Sequence, residues 1–216
     1  MATYLGLVNN VLIRLREAQV STVTQTTYST LIGTFINDAK KRVEDAYMWN
    51  ALKQTITVST VGGTQNYTLT GSGQRFKVLQ VINNTNDYEL RLITSNDMNQ
   101  YTNFGTQQNG DPFYYTFNGI DSNGDNKVDI YPIPDGIQSL RFDLIIPQDD
   151  LSSDSTMMLI PADPVIFAAY ALAAAERGED QGLASSEAIQ IARTILGDTI
   201  AIEASRHYEN DSWSTV

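Results

Sequence analysis

Residues 35–60 read FINDAKKRVEDAYMWNALKQTITVST, and the hydrophobic period changes inside this stretch. Phe35, Ala39, Val43 and Ala46 recur at four- and three-residue spacing, as on one face of a helix. From Thr55 the order Thr55, Ile56, Thr57, Val58, Ser59, Thr60 alternates with period two, as in a half-buried strand. A chain that leaves a helical face and enters an alternating run within a few residues belongs to a mixed fold. The question is then what lies on either side.

Upstream the pattern stays helical. Leu5, Val8, Leu12 and Leu15 form a stripe, with Arg14, Arg16 and Glu17 off it. The polar residues 19–27 interrupt it, and Thr26 or Thr27 can cap a second helix. Tyr28 and Ile32 extend that helix's apolar face. Lys40, Lys41, Arg42, Glu44 and Asp45 are expected to fall largely outside the core.

Downstream, Gly62-Gly63 followed by Tyr67-Thr68-Leu69 predicts a β-hairpin with the run 55–60. Further strands are expected at 75–81, 88–93, 113–117, 127–131 and 139–145. Turn clusters separate them at Asn83-Asn84, Asn109-Gly110-Asp111-Pro112 and Pro134-Asp135-Gly136. Residues 95–101 form a short helix capped by Ser95. The helical period returns at Asp163-Pro164, a capping carboxylate with proline in the first turn. The alanine-rich run 165–176 follows and Gly178 stops it. A last helix covers 183–205, with Ala184, Ala188, Ile191, Ile195 and Ile202 near helical spacing.

The expected fold is therefore α+β: a four-helix bundle formed by the N- and C-terminal helices, with an inserted antiparallel β sandwich or barrel. The expected boundaries are 1–53 for the first helices, 54–148 for the β module and 149–206 for the last helices. Residues 207–216 form a flexible tail.

Composition narrows the function. The chain has 216 residues, enough for a sizeable core, and its 42% apolar content reads as globular. No apolar run approaches the roughly 20 residues that span a bilayer, so no membrane association is expected. The start lacks a basic region followed by an apolar one, so no secretory signal is expected. There is no cysteine, which removes disulfides and thiolate metal sites. The formal net charge is −11, unsuited to a protein that holds DNA through phosphate contacts. It suits a wall that DNA passes without sticking, and equally simple solubility.

Enzymatic chemistry is hard to find. A serine or cysteine hydrolase needs a nucleophile beside a base. The only histidine is His207, near the end of the given chain. Neither the phosphate-binding loop motif nor His-Glu-x-x-His occurs. Gly71-Ser72-Gly73 lies between strands and reads as a turn. The expectation is a non-enzyme.

One segment has ligand spacing. Asp121-Ser122-Asn123-Gly124-Asp125-Asn126-Lys127-Val128-Asp129 places oxygens at alternate positions, as calcium requires, with Lys127 contributing only its backbone carbonyl. Asn126 stands where such loops have glycine, and Pro132 where they have glutamate. Two readings stay open: a calcium loop of Asp121, Asn123, Asp125, Lys127 and Asp129, or a hairpin turn whose side chains bond nearby backbone. No other cofactor is expected. The aromatics Tyr47, Trp49, Phe113, Tyr114, Tyr115 and Phe117 read as core or subunit interface.

Four stretches carry a resemblance. They are the opening 7–17, the run 35–52 leading into Thr55-Ile56-Thr57-Val58, the strand and corner Val128-Asp129-Ile130-Tyr131-Pro132-Ile133-Pro134-Asp135, and Ile160-Pro161-Ala162-Asp163-Pro164 before an alanine-rich helix. In this order they resemble the head-to-tail adaptor proteins of tailed bacteriophages, of the tail tubular protein A type, across most of the chain. The resemblance implies a homo-oligomeric ring of twelve copies, assembled in the host cytoplasm and resident in the virion. The ring docks beneath the portal protein and offers a platform to a tail nozzle or other tail component. Double-stranded DNA passes its lumen without sequence-specific binding, on its way to ejection. The tail residues His207, Tyr208, Trp213 and Val216 are expected to meet the portal or a neighbour and to order on assembly. Two other readings use the same residues: another tail completion protein with similar layers, and a calcium-stabilised extracellular binding module.

Overall fold

The computed structural model describes residues 2–104, 106–178 and 183–206. It is a mixed α+β structure in which two compact units share the chain: residues 1–52 with 147–216, and residues 53–146. Each is built on its own hydrophobic logic.

The first unit is helical. Helix α1 spans Tyr4–Arg14 and starts where the Thr3 hydroxyl accepts the Gly6 N–H at 3.2 Å. Its inward stripe is wider than the sequence reading: Leu7 and Val11 are buried along with Val8, Leu12 and Leu15. Helix α2, Thr27–Ala46, opens with a capping box in which Thr26 and Ser29 satisfy each other's backbone N–H. It buries Ile32, Ile36, Ala39 and Val43, so Ile36 takes the deep position expected of the half-buried Phe35. Gly33 lets α1 approach closely, since a β-carbon there would collide with the Tyr4 hydroxyl.

A 3-10 turn, Asn50–Leu52, follows α2. The expected carboxylate cap of the next long helix in this unit is not formed. Helix α4 spans Ala162–Arg177 with Pro161 at the cap position and no side-chain cap, so Asp163 lies inside the first turn. There its charge still faces the positive end of the helix dipole. Gly178 ends the helix in the left-handed conformation at φ 65°, as expected of a glycine stop. Helix α5 spans Leu183–Ala204. Helix α4 packs against α1, α2 and α5. Before α4, residues 154–158 lie beside the start of α1, where Tyr4 N–H donates to Thr156 O at 2.9 Å and Met158 N–H to Ala2 O at 3.0 Å.

The second unit is two four-stranded sheets. The strands are β1 Lys53–Ser59, β2 Asn66–Thr68, β3 Lys77–Asn83, β4 Tyr88–Glu89, β5 Arg91–Leu92, β6 Tyr114–Ile120, β7 Asn126–Tyr131 and β8 Ser139–Ile145. The sheet orders are β1-β8-β3-β4 and β2-β7-β6-β5. Pairing is antiparallel except for β5 beside β6, which is parallel. Leu69, Val81, Leu90, Tyr115, Val128, Ile130, Leu140, Phe142 and Leu144 meet in one core between the sheets. Each such side chain contributes roughly 1.5–3 kcal/mol on burial. The inserted module is thus a sandwich with one parallel pair, not a wholly antiparallel one.

Three local expectations are corrected. The runs 55–60 and 67–69 do not form a hairpin: β1 pairs with β8, and β2 pairs with β7 in the other sheet. Gly62-Gly63 is instead a corner between sheets, where Gly62 sits against the Asp135 backbone and Gly63 N–H donates to Pro134 O at 2.8 Å. The single strand 88–93 is two. It breaks at the buried Leu90, whose N–H donates to Val81 O, while Arg91 N–H donates to Phe113 O. Each half joins a different sheet, which an unbroken alternation cannot reveal. Helix α3, Ser95–Asn103, is capped by Thr94 and not by Ser95. Its Tyr101 ring stacks on Tyr114 at 5.8 Å and on Tyr131 at 5.1 Å.

Candidate assembly sites

The acidic hairpin lies between β6 and β7. Its carboxylates point at donors. Asp121 Oδ1 accepts the N–H of Asn123 at 2.8 Å and of Asp125 at 2.9 Å. Asp125 Oδ1 accepts the N–H of Gly71 at 3.0 Å and of Gly73 at 3.2 Å. Asp129 accepts the side-chain amides of Asn66 and Asn118 at 2.6 and 2.7 Å. The backbone N–H of Asp125, together with those of Asn123 and Gly124 and the charge of Lys127, holds the Asp121 carboxyl below its ordinary value against the opposing effect of burial. Converging N–H groups are the arrangement that suits an anion.

The structure therefore brings Asp121, Asn123 and Asp125 together as a turn. Asp129 stands apart on β7 between two asparagines. Among the described residues no group of three or more His, Cys, Asp or Glu side chains could hold a metal ion. The glycines of the Gly71-Ser72-Gly73 turn, with φ of 85° and 59°, aim their N–H groups at Asp125. The two segments that looked like separate chemical candidates are thus one latch between the β2–β3 and β6–β7 connections. Their spacing in sequence gave no hint of that meeting.

In the helical unit, Lys40 and Glu44 are the charged residues that the sequence reading misplaced. Both side chains are 0% exposed and pair at 3.1 Å. Lys40 Nζ also donates to Gln148 O at 2.5 Å, and Glu44 Oε1 accepts the Gln148 N–H at 3.2 Å. One turn away, Asn37 exchanges two hydrogen bonds with the Leu151 backbone at 3.1 and 2.9 Å. Lys41 pairs with Asp150 at 2.8 Å on the surface. Helix α2 thus clamps residues 148–151 where the chain returns from the β unit. The spacing could have signalled it, because Ile32, Ile36, Lys40 and Glu44 lie on one four-residue ridge.

A second clamp fixes the end of α4. Arg177 donates to the Tyr28 hydroxyl at 2.8 Å and to Leu15 O at 3.3 Å, and it pairs with Glu17. Those hydrogen bonds, first the one to Tyr28 and then the one to Glu17, hold its pKa above the ordinary value. Trp49, one of the aromatics expected in the core, is buried and donates its indole N–H to Val43 O at 2.7 Å. Tyr115 is likewise buried, whereas Phe113 is half exposed and stacks on Tyr88 at 4.8 Å.

Two features of this unit are suited to contact with other chains. Helix α5 leaves Ile189, Ile191 and Ile202 between 41% and 60% exposed. A cleft of about 320 Å³ runs between α2, α4 and α5, with alanines along its wall and Arg42 and Arg193 at its rim. Neither was visible in the sequence, because a cleft depends on how small residues of separate helices meet. His207, Tyr208, Trp213 and Val216, expected to bind the portal or a neighbour, lie outside the described residues. No helix among the described residues is long and apolar enough to cross a membrane.

A family model described as SU10 adaptor protein matches residues 2–214. No curated protein matches the chain significantly.

Proposed function

The chain belongs to the SU10 adaptor protein family, a family of phage head-to-tail adaptors and thus of virion structural proteins, and from that premise we propose that it is one subunit of an adaptor ring beneath the portal. The observation that carries this reading is the extent of the match, which takes in both compact units. The ring has twelve copies, extends the DNA channel and offers the tail nozzle its attachment platform. It assembles in the host cytoplasm.

The exposed isoleucines of α5 supply apolar surface for contacts between copies. A ring needs heterologous contacts, in which two different faces of the same chain meet. The helices of both chain ends act in it as one four-helix bundle, while the β sandwich meets the tail. The protein's work is mechanical and not catalytic: twelve copies at −11 make a repelling lumen that DNA traverses without sequence-specific binding. The Asp121–Asp129 hairpin is held by its own hydrogen bonds.

Electron microscopy of the purified protein mixed with its portal tests the reading. Twelvefold rings stacked on the portal are expected. A protein that stays monomeric and leaves the portal bare would refute it.

A further inference from the structure

We infer that the cleft between α2, α4 and α5 is the socket for residues 207–216 of a neighbouring copy, an inference that rests on the ring reading above. The two sides are complementary in kind. The cleft has an apolar wall, including Val43, Ala171, Leu172 and Ile189, and two guanidinium groups at its rim. Neither Arg42 nor Arg193 has an ion-pair or hydrogen-bond partner among the described residues. Residues 207–216 carry the opposite chemistry: one indole, Trp213, preceded by the carboxylates Glu209 and Asp211, with no lysine or arginine. An indole buries roughly 150–250 Å² in an apolar socket. Carboxylates just before it can meet arginine forks at the rim, where charge complementarity selects the partner and its register.

The source of the segment follows from reach. The cleft is flanked by residues 189–196 of α5, and the segment begins after Arg206. Arg206 is tied to Glu203, by its guanidinium at 3.0 Å and by its backbone N–H at 3.0 Å, so the exit from the helix is fixed there. At a rise of 1.5 Å per residue, Arg193 lies about 20 Å back along the helix. Trp213 is seven residues past Arg206 and can reach at most about 25 Å with the chain fully extended. Return to its own cleft, whose near edge at Leu196 lies about 15 Å back and whose Arg193 lies about 20 Å back, would demand an immediate reversal of the segment. The end of a neighbouring α5 brought to the cleft by ring closure carries no such constraint. Each copy would then be held by the next in one rotational direction.

The absence of cysteine makes the test direct, since any thiol is an introduced one. Rings are assembled on the portal from an equal mixture of an Ala192→Cys chain and an epitope-tagged Ser214→Cys chain, then treated with a short bis-maleimide. A covalent dimer of tagged and untagged chains is expected. Its yield should drop at least about fivefold when Arg42→Glu and Arg193→Glu are added to the first chain, or Trp213→Ala to the second. Circular dichroism melting checks that the arginine variants fold, and the Trp213 variant lies outside the cleft. Rings without the mixed dimer overturn the inference and leave the adaptor reading intact. A chain carrying both cysteines that links only within itself also overturns it. No rings at all would sink both.

Discussion

Lys40 and Glu44 carry opposite charges into the interior of the helical unit, and this decides what any substitution there does. Removing one partner of a fully buried pair leaves the other charge desolvated, at a cost of about 3–5 kcal/mol. Lys40→Ala should therefore lower unfolding free energy by that order in urea titration. Lys40→Met with Glu44→Leu should recover most of it, since well-packed apolar residues can replace such a pair. Equal losses in the single and double variants would show that the clamp on Gln148, not the pair, matters. Residue type hid this site in the sequence: lysine and glutamate read as solvent-facing, although their positions continue the Ile32–Ile36 ridge. Asp143 shows a second buried charge. Burial opposes its ionisation but is outweighed by hydrogen bonds from Thr55 at 2.6 Å and Arg141 at 3.0 Å, so its pKa is lowered. A lowered folded-state pKa gives stability that is complete above the ordinary carboxylate value and drains as pH falls through the folded one. Asp121 works with the same sign. The melting temperature should thus fall as pH drops below about 4. Asp143→Asn should flatten that slope while lowering stability at neutral pH. An unchanged slope would locate the acid sensitivity elsewhere.

The elements themselves were largely legible, and their partners were not. Strand β8 and helix α4 follow from alternation and from an alanine-rich run with a glycine stop, both local signals. The sheet to which a strand belongs is a long-range choice. Thus β1 and β2 look like a hairpin around Gly62-Gly63, yet they pair with β8 and β7. Likewise β4 and β5 look like one strand, because the sheet change occurs at the buried Leu90 without a turn residue to mark it. The hairpin residues Asp121 to Asp129 were readable as a turn, but their docking on Gly71 and Gly73 was not. Contact between elements can be tested where two helices almost touch. Gly33→Ala in α2 puts a methyl group against the Tyr4 hydroxyl and the Val23 side chain, where overpacking costs about 1–3 kcal/mol. Adding Tyr4→Phe removes the closest atom and should restore part of the loss in thermal melts. If Gly33→Ala alone is neutral, α1 and α2 are free to separate without penalty.

At the scale of the whole molecule, charge and assembly are linked. A net charge of −11 disfavours contact with duplex DNA, whose nonspecific binding depends on released counterions. Labelled duplex should therefore show no anisotropy change even at about 50 mM salt, where a phosphate-binding surface would be strongest. Saturable binding there would reveal a basic lining and remove the repelling-lumen argument. The same charge raises the cost of bringing copies together, so the contacts that close a ring must be specific enough to outweigh repulsion. Apolar surface on α5 contributes without regard to direction, whereas an acidic segment carrying one indole can set direction as well. Deleting residues 207–216 separates these contributions. The truncated chain keeps both compact cores, Lys40–Glu44 and the Arg177 clamp, so its melting temperature should match that of the full chain. Its docking on the portal, read by co-sedimentation, should be impaired, and more so as salt falls and repulsion between copies is less screened. Normal docking by the truncated chain would leave α5 as the sufficient contact and remove the segment from the mechanism of assembly.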